Sequence, residues 1–255
     1  MPATDIHPPA SEPLTRAALT PTEKAAFARD GYVVARGLLA AECIPALRAE
    51  VLAILAARNL PQSYLAQARE YLAGSPVDAL VNSMRLKALV ADLLGGASRV
   101  YLPFTAVKGP GQGPFTFHQD NNYTRLDGPA CNCWFALEPM RVGNGCLRVV
   151  PGSHRAGNLT STASEACPGH RQVAITPETW DDVVIEAGDC CVFDRLAVHG
   201  SGSNRTTSPR VAYAVQFHRD DTLALIDGQW VPLSDRPRYP TGPVERLSDQ
   251  AQRGE

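Results

Sequence analysis

The spacing of hydrophobic residues divides the chain into a helical first part and a β-rich second part. In residues 41–58, Leu47, Val51 and Leu55 recur four positions apart, which predicts an amphipathic helix that buries one face. After Ser98, short apolar runs alternate with glycine, proline, asparagine and serine. This texture predicts many short strands joined by turns, so we expect a β core with a helical layer against it.

Capping residues set the expected boundaries of the first helix. Thr20, Pro21 and Glu23 supply an N-cap, a first helical residue and the partner of a capping box. Gly31 is the expected stop of this helix. The other elements predicted in this part are a strand over residues 32–36 and helices over residues 62–72 and 85–94.

The β-rich part has the strand spacing of a barrel or sandwich. The strand-like runs are residues 99–108, 131–137, 146–150, 182–185, 190–193 and 210–218. They predict a mainly β fold with flanking α-helices, built on a double-stranded β-helix (jelly-roll, cupin-like) core. We expect one domain over residues 1–255, with a flexible tail at 1–18, a mainly helical layer at 19–97, the core at 98–219 and a C-terminal extension at 220–255.

Composition and charge exclude several classes of partner. The chain is 44% hydrophobic and 20% charged, as in ordinary globular proteins. A net charge of −2 and a pI near 6.3 give no basic surface for nucleic acid or anionic lipid. No apolar run approaches the roughly 20 residues of a membrane helix, and the first residues lack the order of a signal peptide. We expect a cytoplasmic monomer or homodimer that acts on a small molecule, without nucleic-acid or membrane partners.

The seven cysteines do not suggest a disulfide framework, since their number is odd and the chain is long enough to build a core. Cys131 and Cys133 resemble half of a zinc site, but no second pair with the usual spacing accompanies them. Two positions apart on an apolar strand, they share one face, so core packing is the favoured interpretation. Cys190 and Cys191 are expected to point to opposite faces and to pack in the core too.

His118 and Asp120 are the first candidate metal ligands. On a strand, the two side chains project from one face about 7 Å apart. His199, which follows the run at residues 190–193, can supply a second imidazole. Two imidazoles and one carboxylate with open positions are typical of non-haem Fe(II) oxygenases, and zinc is the competing metal. By itself, an H-x-D pattern also fits a histidine and an aspartate on the surface or in the core whose polar groups are satisfied without a metal.

The loop after His199 adds a candidate site for an acidic co-substrate. Ser201 follows two residues later, and Arg210 heads a predicted strand whose other face carries only large apolar residues. Small and polar residues suit a barrel interior. We therefore expect Arg210 to point inward, where its planar guanidinium can bind a carboxylate of a 2-oxoacid. Alternation along residues 131–137 likewise predicts that Trp134 lines the pocket. The alternative is that Trp134 packs in the hydrophobic core and contacts no ligand.

Five motifs stand in order along the chain: HQDNNY at 118–123, WFALEPM at 134–140, NGCLRVVPGSH at 144–154, GDCCVFD at 188–194 and HGSGSNRTTSPR at 199–210. Together they resemble the phytanoyl-CoA dioxygenase-like family of Fe(II)/2-oxoglutarate-dependent oxygenases, over roughly residues 20–219. The resemblance implies a double-stranded β-helix core. The iron ligands that it implies are His118, Asp120 and His199. The 2-oxoglutarate contacts that it implies are Arg210, Ser201, Trp134 and Lys108.

The resemblance also implies a reaction. With Fe(II), 2-oxoglutarate and O2, the protein is expected to hydroxylate an unactivated C–H bond and to release succinate and CO2. Related halogenases carry a small residue in place of the metal carboxylate, so Asp120 favours hydroxylation.

Four polar side chains beside the metal motif are candidate substrate contacts, namely Gln119, Asn121, Asn122 and Tyr123. They predict a small, polar substrate, although each equally suits a loop that faces water. Two other functions remain open. One is a cupin-type metal isomerase or hydrolase that works without 2-oxoglutarate, and the other is a non-catalytic binding protein on the same scaffold.

Overall fold

Four helices and sixteen strands occupy the parts of the chain that the computed structural model describes, residues 12–58, 67–233 and 243–244. The helices are α1 Pro21–Asp30, α2 Ile44–Arg58, α3 Pro76–Asn82 and α4 Met84–Leu94. The strands are β1 Tyr32–Ala35, β2 Tyr71–Leu72, β3 Ser98–Lys108, β4 Phe115–His118, β5 Leu126–Asp127, β6 Ala130–Ala136, β7 Leu147–Val149, β8 Ser161–Ala163, β9 Arg171–Val173, β10 Asp181–Asp182, β11 Cys190–Asp194, β12 His199–Ser201, β13 Arg210–Arg219, β14 Leu223–Ile226, β15 Gln229–Pro232 and β16 Pro243–Val244. None of the described helices is both long and apolar enough to cross a membrane.

Two antiparallel sheets build the core. The larger has the strand order β1-β11-β6-β13-β3 and the smaller β10-β7-β12-β4. Side chains of both sheets meet in one apolar cluster, in which Trp134 and Ala214 of the larger sheet join Leu147 and Val149 of the smaller. The predicted jelly-roll core with flanking helices is therefore confirmed. The predicted strands lie within one or two residues of β1, β3, β6, β7, β11 and β13, but of the run at 182–185 only Asp182 belongs to a strand.

The helices pack on the outer face of the larger sheet. Tyr213 and Val215 of β13 pack there in the same apolar cluster as Val51 of α2 and Leu86 of α4. Ala212 and Ala214 face the smaller sheet instead. The alternation predicted for β13 is therefore confirmed, with the large side chains under the helices and the small ones facing the interior.

The cysteines follow the same alternation. No disulfide joins any of the seven cysteines, which all lie in the described part of the chain. Cys131, Cys133 and Cys190 lie in the cluster beneath the helices, whereas Cys191 lies in the cluster between the sheets. The interpretation of these four residues as core thiols is confirmed.

The helix boundaries follow local chemistry. Thr20 and Glu23 form the predicted capping box, and Gly31 ends α1 in the left-handed conformation at φ 77°. Helix α2 begins at Ile44, three residues later than predicted, after a 3-10 turn at Ala41–Cys43. Pro45 explains the delay, because its ring allows a helix to start there but would clash with a helical turn extended backwards.

The helix predicted over residues 62–72 is wrong where the chain is described, and residues 62–66 lie outside the described ranges. Residues 67–70 are irregular and Tyr71–Leu72 is strand β2, parallel to β16. Ala68 exchanges hydrogen bonds with Thr105 on the edge of β3, and these replace helical ones. Helix α3 was not predicted, although Ser75 caps it and Pro76 is its first residue.

The described part of the predicted flexible tail is packed. Leu14 is fully buried and forms an isolated bridge with Leu39. Residues 1–11 lie outside the described ranges. In the predicted C-terminal extension, β14 pairs with β15 and β5, and apart from Pro243–Val244 the chain beyond residue 233 lies outside the described ranges.

Gly200 allows the close approach of β12 and β4. A Cβ atom at this position would lie 2.7 Å from the Phe115 carbonyl oxygen and 3.3 Å from the Phe117 nitrogen. Both neighbours are backbone atoms of β4, so they cannot move aside without breaking the strand pair.

We predict that Gly200→Ala lowers the free energy of unfolding by about 1–3 kcal/mol, the usual cost of forcing one carbon atom into a packed interior. Chemical unfolding measures this change. The matched control is Gly202→Ala, whose Cβ would meet the flexible Arg148 guanidinium at an ordinary 3.4 Å. Equal stabilities of the two variants would contradict the steric role of Gly200.

Candidate active site

The strand pair β4–β12 brings the two candidate histidines together. His118 is the last residue of β4 and His199 the first of β12, and the two are direct partners across the pair. Their ring centroids are 4.3 Å apart. Residues 81 positions apart in the sequence thus present two imidazoles at one point of the smaller sheet.

Asp120 reaches the same point from a turn and not from a strand. The expectation that His118 and Asp120 project from one strand face is wrong, because β4 ends at His118 and a 3-10 turn occupies Asp120–Asn122. The turn is fixed by a hydrogen bond from the Asn121 nitrogen to the Arg195 carbonyl, 3.3 Å long. The tertiary contact with residue 195 overrides the extended pattern.

The three side chains form a compact, buried set of metal-binding atoms. Oδ1 of Asp120 lies 4.0 Å from Nε2 of His118 and 3.7 Å from Nε2 of His199. The ligand atoms all lie within 4.8 Å of one another, and all three residues are buried. Two nitrogens and one oxygen at such separations suit a divalent transition metal with open positions.

Backbone carbonyls orient both imidazole rings. Nδ1 of His118 lies 2.9 Å from the Thr116 oxygen, and Nδ1 of His199 lies 3.0 Å from the Ala197 oxygen. A carbonyl only accepts, so each Nδ1 carries the hydrogen and each Nε2 keeps its lone pair for a metal. Burial, together with the neighbouring His199 ring, lowers the pKa of His118 to about 3, which keeps this imidazole neutral.

Asn132 orients the carboxylate of Asp120. Its Nδ2 donates a 3.3 Å hydrogen bond to Oδ2 of Asp120, while Oδ1 of that carboxylate faces the two histidines. Asn132 lies on the interior face of β6, two residues before Trp134. The carboxylate is therefore held with one oxygen directed at the metal position.

A cavity of about 210 Å³ lies between the two sheets and includes the three candidate ligands in its wall. Phe104, Leu147 and Phe193 provide apolar wall. Ser201 and Arg210, which the sequence assigned to the co-substrate, also line the cavity, as does Trp134.

Arg210 is a buried cation that forms no ion pair with any described residue. It is 1% exposed, and its Nε and Nη2 have no hydrogen-bond partner in the described part of the chain. Its guanidinium lies over the Trp134 ring, 5.1 Å from the centroid. Burial lowers the pKa of Arg210 to about 10, so it still carries its charge at neutral pH. An unpaired buried charge is costly, and a bound carboxylate fits this position.

Lys108 does not reach the cavity. It is fully buried, and its Nζ donates 2.7 Å hydrogen bonds to the carbonyls of Gly113 and Gly202. Burial and the positive charge of Arg210 lower the pKa of Lys108 to about 7. The structure thus gives Lys108 a structural contact between two loops in place of the predicted contact with the co-substrate.

Three of the four candidate substrate residues are turned away from the cavity. Gln119 donates to the Gly157 and Leu196 carbonyls and accepts from the Leu159 nitrogen. Asn121 and Asn122 are also engaged, since their side-chain amides donate to the Leu126 and Leu159 carbonyls respectively. These residues fix the conformation of the metal-site turn, so the structure does not support a substrate contact for any of them.

Tyr123 is the fourth candidate, and it does line the cavity. Its hydroxyl lies 3.0 Å from Nδ1 of His170, and its ring meets that of His118 edge-on at 5.7 Å. His170 belongs to the cavity wall as well, although the sequence gave no reason to include it. Further polar residues line the cavity although they were not among the predicted site residues, namely Gln67, Arg69, Tyr101, Thr124, Asn132, Arg195 and Gln216.

Comparison of the sequence with known proteins identifies its family. The sequence profile described as Phytanoyl-CoA dioxygenase (PhyH) matches residues 27–212. A Caenorhabditis elegans protein described as a probable phytanoyl-CoA dioxygenase is 31% identical over 155 residues, 54% of this chain and 49% of that protein. The chain therefore spans about half the length of this curated relative.

Solved structures show the same fold. The epimerase SnoN, in complex with Fe3+, alpha ketoglutarate and nogalamycin RO, superposes with a TM-score of 0.70 at 24% identity and covers 88% of this chain and 92% of its own. The carbocyclase SnoK from nogalamycin biosynthesis has a TM-score of 0.66 at 23% identity, over 80% of this chain and 86% of its own. At these identities the likeness establishes the fold. The profile match covers most of the chain, and on it this chain belongs to the phytanoyl-CoA dioxygenase family of iron- and 2-oxoglutarate-dependent oxygenases.

Proposed function

We propose that this chain uses Fe(II) and 2-oxoglutarate to hydroxylate a C–H bond of a small, polar molecule. The observation that carries the proposal is the buried guanidinium of Arg210, whose Nε and Nη2 have no hydrogen-bond partner among the described residues, in a cavity that also holds three metal-binding side chains. A 2-oxoacid with a second carboxylate satisfies both features, because one end can bind the metal and the other can bind the guanidinium.

The proposed iron ligands are His118, Asp120 and His199. Their lone pairs are available because the Nδ1 atoms of both histidines donate to carbonyls and Asn132 holds one oxygen of Asp120. The three residues would contribute three ligand atoms, and an iron ion held by them could also bind a co-substrate.

Arg210 and Ser201 are the proposed partners of the distal 2-oxoglutarate carboxylate. Both line the cavity, and the Arg210 guanidinium is held against the Trp134 ring. A guanidinium fixed before binding loses little freedom when the carboxylate arrives, which favours affinity. Lys108 can contribute only indirectly, through the loops that it connects.

When bound, the iron and 2-oxoglutarate supply the oxidising chemistry, in which O2 and 2-oxoglutarate are consumed, succinate and CO2 are released, and a substrate C–H becomes C–OH. The chain binds and orients the reactants and excludes water from them. Phe104, Leu147 and Phe193 form a dry wall around the candidate ligands, which protects reactive species from side reactions.

The outcome of oxidation is the finer part of the proposal. SnoN is described as an epimerase and SnoK as a carbocyclase, so inversion of a centre and ring closure are the alternatives to hydroxylation on this fold. The carboxylate of Asp120 argues against halogenation, for which a halide needs that ligand position.

We predict that anaerobic addition of Fe(II) and 2-oxoglutarate produces a weak charge-transfer band at roughly 500–530 nm, as expected for a 2-oxoacid chelated to iron. Titration of this band with 2-oxoglutarate gives the Kd. Arg210→Ala should raise that Kd about 100-fold, because two charge-assisted hydrogen bonds are lost.

The matched control is Arg205→Ala, which removes one positive charge from an exposed loop position. Its Kd should equal that of the unchanged protein. A substrate turned over without succinate release, and at the same rate by Arg210→Ala, would favour a metal enzyme that does not use 2-oxoglutarate. Absence of the band and of any 2-oxoglutarate binding would sink the proposal.

We also predict that the product of the physiological substrate gains the mass of one oxygen atom. Mass spectrometry of a small-molecule extract, incubated with the loaded protein and compared with an Asp120→Ala control, measures this gain, and succinate release should accompany it. An unchanged mass would indicate epimerisation, and a loss of two hydrogens would indicate ring closure or desaturation.

A further inference from the structure

The cavity contains a second buried guanidinium, that of Arg195, and we infer that it binds a carboxylate of the substrate. This inference rests on the proposed function, since it names the substrate class of the same site. Arg195 follows β11 directly, is 6% exposed and lines the cavity.

Arg195 is surrounded by neutral acceptors. Nε donates to Oδ1 of Asn121 at 3.2 Å, Nη1 to Oε1 of Gln216 at 3.1 Å and Nη2 to the Thr124 carbonyl at 3.2 Å. Within residues 12–58, 67–233 and 243–244, no carboxylate forms an ion pair with it. A guanidinium has five N–H groups, so two of them are uncommitted.

The neighbouring carboxylate, Asp194, attracts the charge of Arg195 but forms no ion pair with it in the described part of the chain. Asp194 precedes it in the chain, but Oδ1 of Asp194 accepts from the Leu196 nitrogen. On its other side, the Arg195 guanidinium lies 4.7 Å from the centroid of the Tyr101 ring. The Tyr101 hydroxyl is buried and lacks a partner in the described part of the chain. The charged Arg195 guanidinium and the Tyr101 hydroxyl, which both have N–H or O–H groups left to donate, thus lie side by side in the wall of the cavity.

The position of Arg195 separates it from the proposed 2-oxoglutarate site. Arg210 and Gln216 lie six residues apart on one face of β13, about 20 Å along the strand. Arg210 stacks on Trp134, whereas Arg195 bonds Gln216, which pairs with Asn132. Because Asn132 holds Asp120, Arg195 lies at the end of the cavity where Asp120 is held and away from Arg210. This is where a substrate would lie.

The buried positive charge of Arg195 favours a substrate that carries a carboxylate. Holding the turn around Thr124 requires hydrogen-bond donors, but it does not require a buried positive charge. A buried guanidinium whose hydrogen bonds all go to neutral acceptors, as those of Arg195 do, raises the free energy of the folded protein. A carboxylate would accept the two free N–H groups in charge-assisted hydrogen bonds and would lower that free energy.

The test uses the full chain, loaded anaerobically with Fe(II) and saturating 2-oxoglutarate, and two probes of the same shape, benzoate and benzamide. Ligand-observed NMR gives the Kd of each probe. We expect benzoate to bind at least about tenfold more tightly than benzamide, the ratio that a charge-assisted hydrogen bond supplies. Equal affinities, or no binding of benzoate, overturn the inference.

Variants assign this preference to Arg195. Arg195→Gln should remove the preference, Arg195→Lys should keep part of it, and the exposed Arg205→Gln should keep all of it. Retention of the full preference in Arg195→Gln overturns the inference. Because Arg195→Gln also loses hydrogen bonds of the turn, Tyr101→Phe serves as the second variant. This substitution removes only a hydroxyl that has no hydrogen-bond partner in the described part of the chain. It should weaken benzoate binding about threefold. An unchanged benzoate Kd in Tyr101→Phe would count against the inference.

The same samples separate this inference from the function on which it rests. If 2-oxoglutarate binds but benzoate is not preferred, only the substrate class is wrong. If 2-oxoglutarate itself does not bind, the proposed function fails.

Discussion

The antiparallel pairing of β4 with β12 is the constraint on which the site depends. It sets His118 opposite His199, which are far apart in the sequence. The pairing is possible because position 200 carries no Cβ, so the backbone of β4 can approach within van der Waals distance. The other residues of the site are placed around these two histidines. Asp120 completes it from the adjoining turn, and the larger sheet supplies Asn132 to hold that carboxylate.

Positive charge is distributed in the cavity without matching negative charge. Arg210 and Arg195 are both buried, and Asp120 is the one carboxylate among the residues that line the described cavity. A dication at the metal position would add to this excess. The cavity therefore favours anionic ligands, because a bound anion offsets the unfavourable free energy of the buried cations. This imbalance links the proposed co-substrate and the inferred substrate class through one electrostatic cause.

Local pattern predicted those features that depend on neighbouring residues in the sequence. The period-two alternation of β13 puts Arg210 and Gln216 on the interior face, and both residues line the cavity. The pattern failed at Gln119, Asn121 and Asn122, because each of their side chains has a hydrogen-bond partner among residues 157–159 or 195–196, far away in the sequence. Those contacts exist only after folding. Arg195 was missed for the same reason, since no local signal tells a buried arginine from a solvated one.

The way in which the imidazoles are oriented has a consequence for how the protein can change. Both rings are anchored by main-chain oxygens two residues earlier, those of Thr116 and Ala197. A main-chain acceptor is present whatever side chain its residue carries, so substitutions nearby leave the tautomer intact. The side chains of the cavity wall can then be replaced to suit a new molecule while the metal-binding atoms keep their aim. Because the orientation of the metal ligands does not depend on the side chains of the cavity wall, one fold can acquire new substrates while its metal site stays unchanged.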